Sequence, residues 1–546
     1  MANDQKKFVP INYTSREFGS IREDLLEIAE RLYPDSFQDF SEASFASLMV
    51  DAVAYVGDQL SFYTDYNVNE SFLDTAYQYN NILRHGRVLG YKFTGRPSTY
   101  GEVSLFVMVP ASSTGIGPDS AYIPVLKRGT QFVATSGLNY SLISNIDFSD
   151  PKHPVVVARV SDSTGAPTHY AIKAYATVVS GVFTTERIDV GAYERFKRIR
   201  LGTANVAEVI SVFDSEGNEY FEVDYLAQDM VYKEVANKNY KSDNVPSIIK
   251  PFLVARKFTV ERNRESAFLQ FGSGKEGESS VVADPQSVAM DIFGKDYTTS
   301  TTFDPTRLSK NDSFGMVPSN TSLTITIRTT NPSNSNISTG QLTGVATKLF
   351  QDRASLINTK LNAVEGSLEV NNEKPITGDV TNFDSAEVKQ KIFDTFPTQD
   401  RAVTQADYEN IAYRMHSKFG SVKRVSVQKD ANSEKRNLNM YVVSEDSFGN
   451  LTKTNSTIKR NLKTWINQYR MINDTVDILD PYILNFGIEF SIKIVSGADK
   501  FTTINNCINK LANFYSAGFF IGEAFSISDI FIICLRNRSV LCWERV

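Results

Sequence analysis

Histidine is scarce in this sequence: only His85, His153, His169 and His416 occur in 546 residues, each alone. A metal cluster or a histidine-based catalytic centre therefore has little to build with. The three cysteines, Cys507, Cys534 and Cys542, lie near the C-terminus, odd in number and without C-x-x-C spacing. That argues against a disulfide framework and a zinc site, and for buried thiols. Long hydrophobic runs are missing as well. The longest, FFIGEAFSISDIFIICL from Phe519 to Leu535, carries Glu523 and Asp529 and is too short and polar to span a bilayer. The opening MANDQKKFVP has no apolar segment of the kind a secretory signal needs, so a soluble protein made in a cytoplasm, with no membrane partner, is expected. Nor is there an excess of positive charge. Lys plus Arg is 57 against 63 for Asp plus Glu, a net charge of -6, which leaves no broad footprint for nucleic acid. The one basic cluster, RFKRIR from Arg195 to Arg200, reads as a strand or loop with solvated charges.

What is present is ample apolar material, 41% of residues, in a chain too long for one core. Its periodicity changes along the sequence. In SREFGSIREDLLEIAERLY, the residues Phe18, Ile21, Leu25, Ile28 and Leu32 step by three, four, three and four, the seam of a heptad pattern. So narrow a stripe needs a helical neighbour, either in this chain or in another subunit. A second helix follows with Ser41 or Ser44 as cap and a wide apolar face of Phe45, Leu48, Met49, Ala52, Val53, Val56, Leu60 and Tyr63. Along it Asp51, Asp58 and Asp65 recur every seven residues, about 10 Å apart, too far for two to share an ion, and read as a solvated stripe. A third helix, TAYQYNNILRHGRVLG, closes at Gly90.

From Tyr100 the period becomes two, with β-branched and aromatic residues between turn residues, and EVISVFDSEGNEYFEVDYL reads as a hairpin turning at Asp214 to Asn218. Past residue 375 strand pairs alternate with helices, including a helix capped by Asn455 or Ser456. The fold class expected is multidomain α+β: an N-terminal helical bundle region over 1–95, a β-rich middle region over 96–340, a helical connector over 341–400 and a C-terminal α+β domain of the split βαβ kind over 401–546.

One stretch invites a chemical reading. FLQFGSGKEGESS places Gly272, Gly274 and Gly277 in G-x-G-x-x-G spacing with Lys275 among them. A P-loop would need a glycine where Leu269 stands and a hydroxyl where Glu276 stands, and a dinucleotide site would need a helix directly after the loop. ESSVVADPQ, with β-branched residues and Pro285, does not begin one. The glycines are therefore expected to serve a turn between two strands, permitting positive φ. No G-x-S-x-G elbow or H-E-x-x-H occurs, and no enzymatic activity, cofactor or metal is expected.

Several segments together carry a resemblance. FASLMVDAVAYVGDQLSFYTDYNVNESFLDTAYQYNNILRHGRVLGY, IPVLKRGTQFVATSGLNY, FLQFGSGKEG and RAVTQADYENIA with GSVKRVSV occur in that order across residues 45 to 428. They resemble the baseplate J-like family of contractile-tailed phages, and most of all its large T4-type wedge subunits. Ser273 departs from the pattern, which commonly has aspartate there, and the chain ends sooner than the longer members. The resemblance implies a structural role in the virion, at the tail baseplate, after assembly in the host cytoplasm. It implies homodimers, made through the terminal regions, that build the inner baseplate ring, and an N-terminal helical bundle shared with another wedge protein. A small wedge protein connecting to the sheath, the central hub, and ring rearrangement that triggers contraction complete the implied setting. The partner interface would be the helical seam of Phe18, Ile21, Leu25, Ile28, Leu32, Leu48, Val56 and Leu60. A tail-associated glycan-binding or glycan-cleaving protein is the alternative, and a nucleotide-binding enzyme would rest on the glycine loop alone.

Overall fold

The structure, a computed structural model, describes residues 17–32, 44–113, 116–228, 230–237, 247–263, 266–274, 314–331, 333–351, 357–380, 385–431, 437–485, 487–495, 497, 499–515, 520–535 and 540–545. The chain divides into two compact units, one of residues 1–91 with 384–393, the other of residues 92–383 with 394–546.

The first unit is helical. It contains α1 (Phe18–Leu32), α2 (Phe45–Glu70) and α3 (Tyr79–Val88). Ser44 caps α2, its hydroxyl accepting the Ser47 N–H at 3.1 Å. At the end of α3, Gly90 has φ +87° and the Tyr91 N–H returns to the Gly86 carbonyl at 2.8 Å, the hydrogen bond of a Schellman ending.

The second unit is built on two seven-stranded sheets. In one, β1 (Tyr100–Pro110) lies between β7 (Pro167–Ser180) and β18 (Glu369–Asn371). The sheet continues from β7 through β4 (Asn139–Leu142) and β3 (Gln131–Ala134) to β17 (Leu342–Thr347), and β6 (Val155–Val160) also pairs with β7. Strands β2 (Val125–Leu126) and β5 (Ile146–Asp147) form a short separate pair. The other large sheet runs β8 (Val182–Val190), β16 (Thr321–Thr329), β10 (Val206–Phe213), β11 (Glu219–Glu222), β14 (Lys257–Arg262), β15 (Ala267–Phe271), β9 (Arg198–Arg200). The hairpin turn at Asp214 to Asn218 lies where the sequence places it: the Asp214 carboxylate accepts the N–H groups of Glu216 and Asn218 at 3.0 and 2.8 Å. Within RFKRIR, Arg198 is paired with Glu261 at 2.8 Å and lies 4.0 Å over the Phe268 ring. A further hairpin, β12 (Met230–Ala236) with β13 (Ser247–Leu253), stands apart from both sheets.

Where the sequence predicts a helical connector over 341–400, the structure has β17, then α4 (Asn358–Gly366), then β18, before α5 (Ser385–Thr398). Strands of three and six residues are too short to show a period of two, and their partners β1 and β3 lie over two hundred residues away in sequence.

The α+β region holds α6 (Gln405–Tyr413), β19 (Arg424–Lys429), β20 (Asn437–Glu445), β21 (Leu451–Lys453), α7 (Ser456–Ile466) and β22 (Thr475–Leu479). After α7, β22 returns parallel to β20, a βαβ crossover. Asn455 is the cap of α7, and Thr404 with Asp407 forms a capping box on α6. Tyr100 and Val179 of the first sheet sit in the core of this region with Tyr408, Met440, Ile458 and Leu462. Beside that apolar core runs a buried polar seam. Asp379 is paired with Arg96 at 2.9 Å, and the Asn336 amide donates to the Asp379 and Glu445 carbonyls at 2.8 and 3.0 Å. Beyond it, α8 (Lys500–Tyr515), α9 (Ile527–Leu535) and the pair β23 (Ser491–Ile494) with β24 (Val540–Arg545) share a small core of Cys507, Leu511 and Ile530.

Candidate assembly interface

The contact between α1 and α2 is made by small and polar residues. On α2, Ser47 and Ala54 are the buried positions of the first turns, and Gly57 receives the Ile21 side chain of α1, 3.4 Å from where a Cβ would stand. Asp51 lies on the same side and is paired with Arg22 at 2.5 Å; the Arg22 guanidinium also donates to the Ser47 hydroxyl at 3.2 Å. Asp58 and Asp65 are half-buried in line with it. Asp51 is therefore not a solvated group, as the sequence suggests, but is turned toward α1. An arginine on the neighbouring helix gives Asp51 a reason to face inward.

The large apolar side chains of α2 face away from that contact. Met49, Val53, Val56, Leu60 and Tyr63 step by four, three, four and three, and all are exposed, Leu60 by 62%. Alongside them Phe45, Leu48, Tyr55 and Phe62 form a second row, Phe45 exposed by 76%. Two adjacent heptad rows on one helix can each receive a partner helix. Each such side chain gains about 1.5–3 kcal/mol on burial, so a face this wide is a strong drive to association.

The expected seam residues are thus spread over two environments. Ile21 and Leu25 are half-buried on α1, Phe18 and Ile28 are exposed, and Leu48, Val56 and Leu60 are on the outer face of α2. Leu32 ends α1.

Sequence reasoning missed Glu70. It is 9% exposed, and its carboxylate accepts the N–H groups of Tyr77 and Gln78 at 2.9 and 3.0 Å and the Asn81 amide at 2.9 Å. Gln78 makes no side-chain cap for α3, so a residue from the end of α2 does that work. The His85 ring meets the Glu70 carbonyl at 2.8 Å. The Asn81 hydrogen bond, with those backbone donors and the nearby His85, holds the Glu70 carboxyl below the usual range. The signal that could have found it is a lone acid followed by polar residues ahead of a helix without its own cap.

The other resemblance motifs also have structural reasons. In VTQADY, Thr404 and Asp407 make the capping box, and buried Tyr408 donates to Asp474 at 2.8 Å. In FLQFGSG, Gly272 does not adopt the positive φ expected of it. It is a close approach instead: a Cβ there would stand 2.2 Å from the Phe314 carbonyl oxygen and 2.4 Å from that of Gly315. Gly274 bridges to Met316, its N–H donating to Gly315 at 3.0 Å and its carbonyl accepting from Val317 at 2.9 Å. The Ser273 carbonyl accepts the Tyr193 hydroxyl. Lys275 and Gly277 lie outside the described residues. Among the described residues, no group of three His, Cys, Asp or Glu side chains is placed to hold a metal, and no helix is long and apolar enough to cross a membrane.

Comparison with known proteins gives a family match and several structural likenesses. The structure is similar to a chain of the anti-feeding prophage (AFP) baseplate determined by cryo-EM and symmetrised six-fold, at 7% identity and TM-score 0.28, covering 95% of this chain and 85% of that one. It is also similar to a chain of the type VI secretion system TssK-TssF-TssG baseplate subcomplex, at 8% identity and TM-score 0.25, covering 80% of this chain and 96% of the other. At such scores neither likeness establishes a shared fold. No curated protein matches. Residues 17–88 match the family described as Bacteriophage baseplate protein, N-terminal domain, a span that takes in α1, α2 and α3 with the whole exposed face of α2 and stops short of the three downstream motifs. This match supports a baseplate protein whose N-terminal domain is the helical unit just described.

Proposed function

We propose that this chain is a non-enzymatic scaffold of a phage contractile-tail baseplate wedge, and that the outer face of α2 is where it joins a helical bundle with other wedge proteins. The single observation that carries the reading is the inversion of α2, which buries Ser47 and Ala54 and leaves Leu48, Val56 and Leu60 in water. A helix with that distribution is complete only in a complex. The motif order in the sequence supports the finer assignment: a dimer that helps to build the inner ring, docks a small sheath-connecting protein and the central hub, and relays ring rearrangement to sheath contraction. Such a relay works by repacking of interfaces rather than by bond chemistry. The C-terminal module offers apolar surface for a subunit contact too, with Phe501, Phe514 and Ile527 exposed.

The test is co-expression of the full chain with its neighbouring wedge proteins, followed by native mass measurement. Val56→Asp with Leu60→Asp should leave the chain folded, with unchanged thermal unfolding of the second unit, and abolish co-assembly. Complete wedges formed by that variant would overturn the reading.

A further inference from the structure

Phe196 holds a backbone conformation that suits glycine. Its φ is +55°, and among the described residues the other non-glycine positions of this kind are Asn205, Asn320, Gln399 and Asp400, all polar. Asparagine and aspartate tolerate that region, whereas a bulky side chain is strained there because its Cβ crowds the following carbonyl. The chain on either side fixes the conformation. Just before β9, the Phe196 N–H donates to the Gly272 carbonyl at 2.7 Å and the Lys197 carbonyl accepts the Phe271 N–H at 2.9 Å. Glycine would make the same bend without strain.

The strain is not offset by burial of the ring. Phe196 is 45% exposed and leans on Phe314, itself 46% exposed, with ring centroids 6.0 Å apart. A strained residue that keeps its side chain in water points to a side chain wanted for contact.

Around the two rings the charge is one-sided. Arg195, Arg198 and Arg200 are exposed, and half-buried Lys197 donates from Nζ to the Ala192 carbonyl at 2.8 Å. In register, Arg200 stands opposite Phe268 and Phe268 opposite Glu261, but that carboxylate is taken by Arg198 at 2.8 Å. Among the described residues Arg195, Lys197 and Arg200 have no carboxylate partner, and exposed Glu194 is the only acid in the segment they share.

We infer that Phe196, Phe314 and the cations beside them bind an acidic segment of a partner protein, one that carries an aromatic or aliphatic side chain among its carboxylates. Charge complementarity sets this choice: three cations without a carboxylate, in a chain of net charge -6, make a local attraction for acid. Two exposed rings flanked by arginines supply the anchor of a protein interface. A nucleic acid is disfavoured by the acidic balance of the whole chain. The surface belongs to the second unit and does not depend on the reading of α2.

The experiment uses the full chain carrying Leu60→Asp, so that the α2 face does not contribute. Binding of a labelled glutamate–tyrosine copolymer is followed by fluorescence anisotropy, with polyglutamate and oligo(dT) as the other probes. The copolymer should bind most tightly, and added salt should weaken it. Phe196→Gly should lower its affinity about tenfold and leave the thermal midpoint unchanged or higher. Phe196→Ala keeps the strain and lacks the ring, so it should melt below Phe196→Gly. Arg200→Glu should weaken binding by a similar factor, which keeps the test decisive should the Phe196 variants fail to fold, and Lys152→Glu on the turn before β6 should not. An alanine variant as stable as the glycine variant, no binding of the copolymer, binding indifferent to Phe196→Gly and Arg200→Glu, or tighter binding of oligo(dT) would each overturn the inference.

Discussion

The side-chain amide of Asn81 donates to the Glu70 carboxylate at 2.9 Å, tying the first turn of α3 to the last residue of α2. Glu70 is ionised in this arrangement and its carboxyl is held below the usual range. A depressed acid contributes stability above its unfolded pKa of about 4.3 and loses it as pH falls through the folded value. Protection of the amides of residues 77–82, taken relative to their intrinsic exchange at each pH, should therefore fall as the protein is acidified below that point. Glu70→Gln should show little of this pH dependence, and Glu70→Ala should exchange fast at neutral pH.

Ala54 is fully buried where α1 meets α2. Ala54→Leu should cost about 1–3 kcal/mol in the helical unit by overpacking. Leu60→Ser, on the opposite side of the same helix, should leave unfolding of that unit nearly unchanged and raise solubility. Equal destabilisation by both would contradict the orientation of α2, and chemical denaturation followed by far-UV circular dichroism measures it.

Gly86 of α3 stands against Ile392 of α5, where a Cβ would approach the buried isoleucine side chain to 2.7 Å. Alanine is the better helix former, by about 1 kcal/mol, but here the clash should win and Gly86→Ala should destabilise by about 1–3 kcal/mol. In an Ile392→Ala background the sign should reverse. A double-mutant cycle without that reversal would place α3 and α5 apart.

His416 is half-buried, with Arg262, Lys418, Lys92 and Arg328 around it, and desolvation first, then those cations, hold its imidazole well below the usual range. Its Nδ1 accepts the Lys418 N–H at 3.1 Å, which requires the neutral ring. The unfolded chain binds a proton near pH 6.5 that the folded chain refuses, so stability should fall as pH drops below about 6.5. His416→Asn keeps a capping acceptor and removes the titration, and its thermal midpoint should vary less between pH 7.5 and 5.5 than that of the parent.

Local signals in the sequence translated well because they depend on neighbours within a few residues. Ser44 and Asn455 cap helices, Gly90 ends one, and Asp214 to Asn218 make a turn. The inward turn of Asp51 was not legible, since Asp51, Asp58 and Asp65 look like a solvent stripe until Arg22 is placed beside Asp51. Long-range pairing was hidden for the same reason. β8 and β16 are joined from Val190↔Thr321 to Val182↔Thr329, and β18 finds β1, across stretches of sequence that carry no mark of the match. Gly272 shows the limit within one residue: its spacing suggested backbone freedom, whereas the approach of Phe314 and Gly315 is what excludes a side chain there.

The inversion of α2 bears on how such a chain survives before it finds its place. A helix that hides serine and alanine and presents phenylalanine, leucine and tyrosine to water makes a chain with that face uncovered prone to self-association. Supply of the protein then has to be matched to supply of whatever covers that face. Overproduced alone it should accumulate in inclusion bodies, and co-translation with its cognate helices should rescue it in stoichiometric ratio.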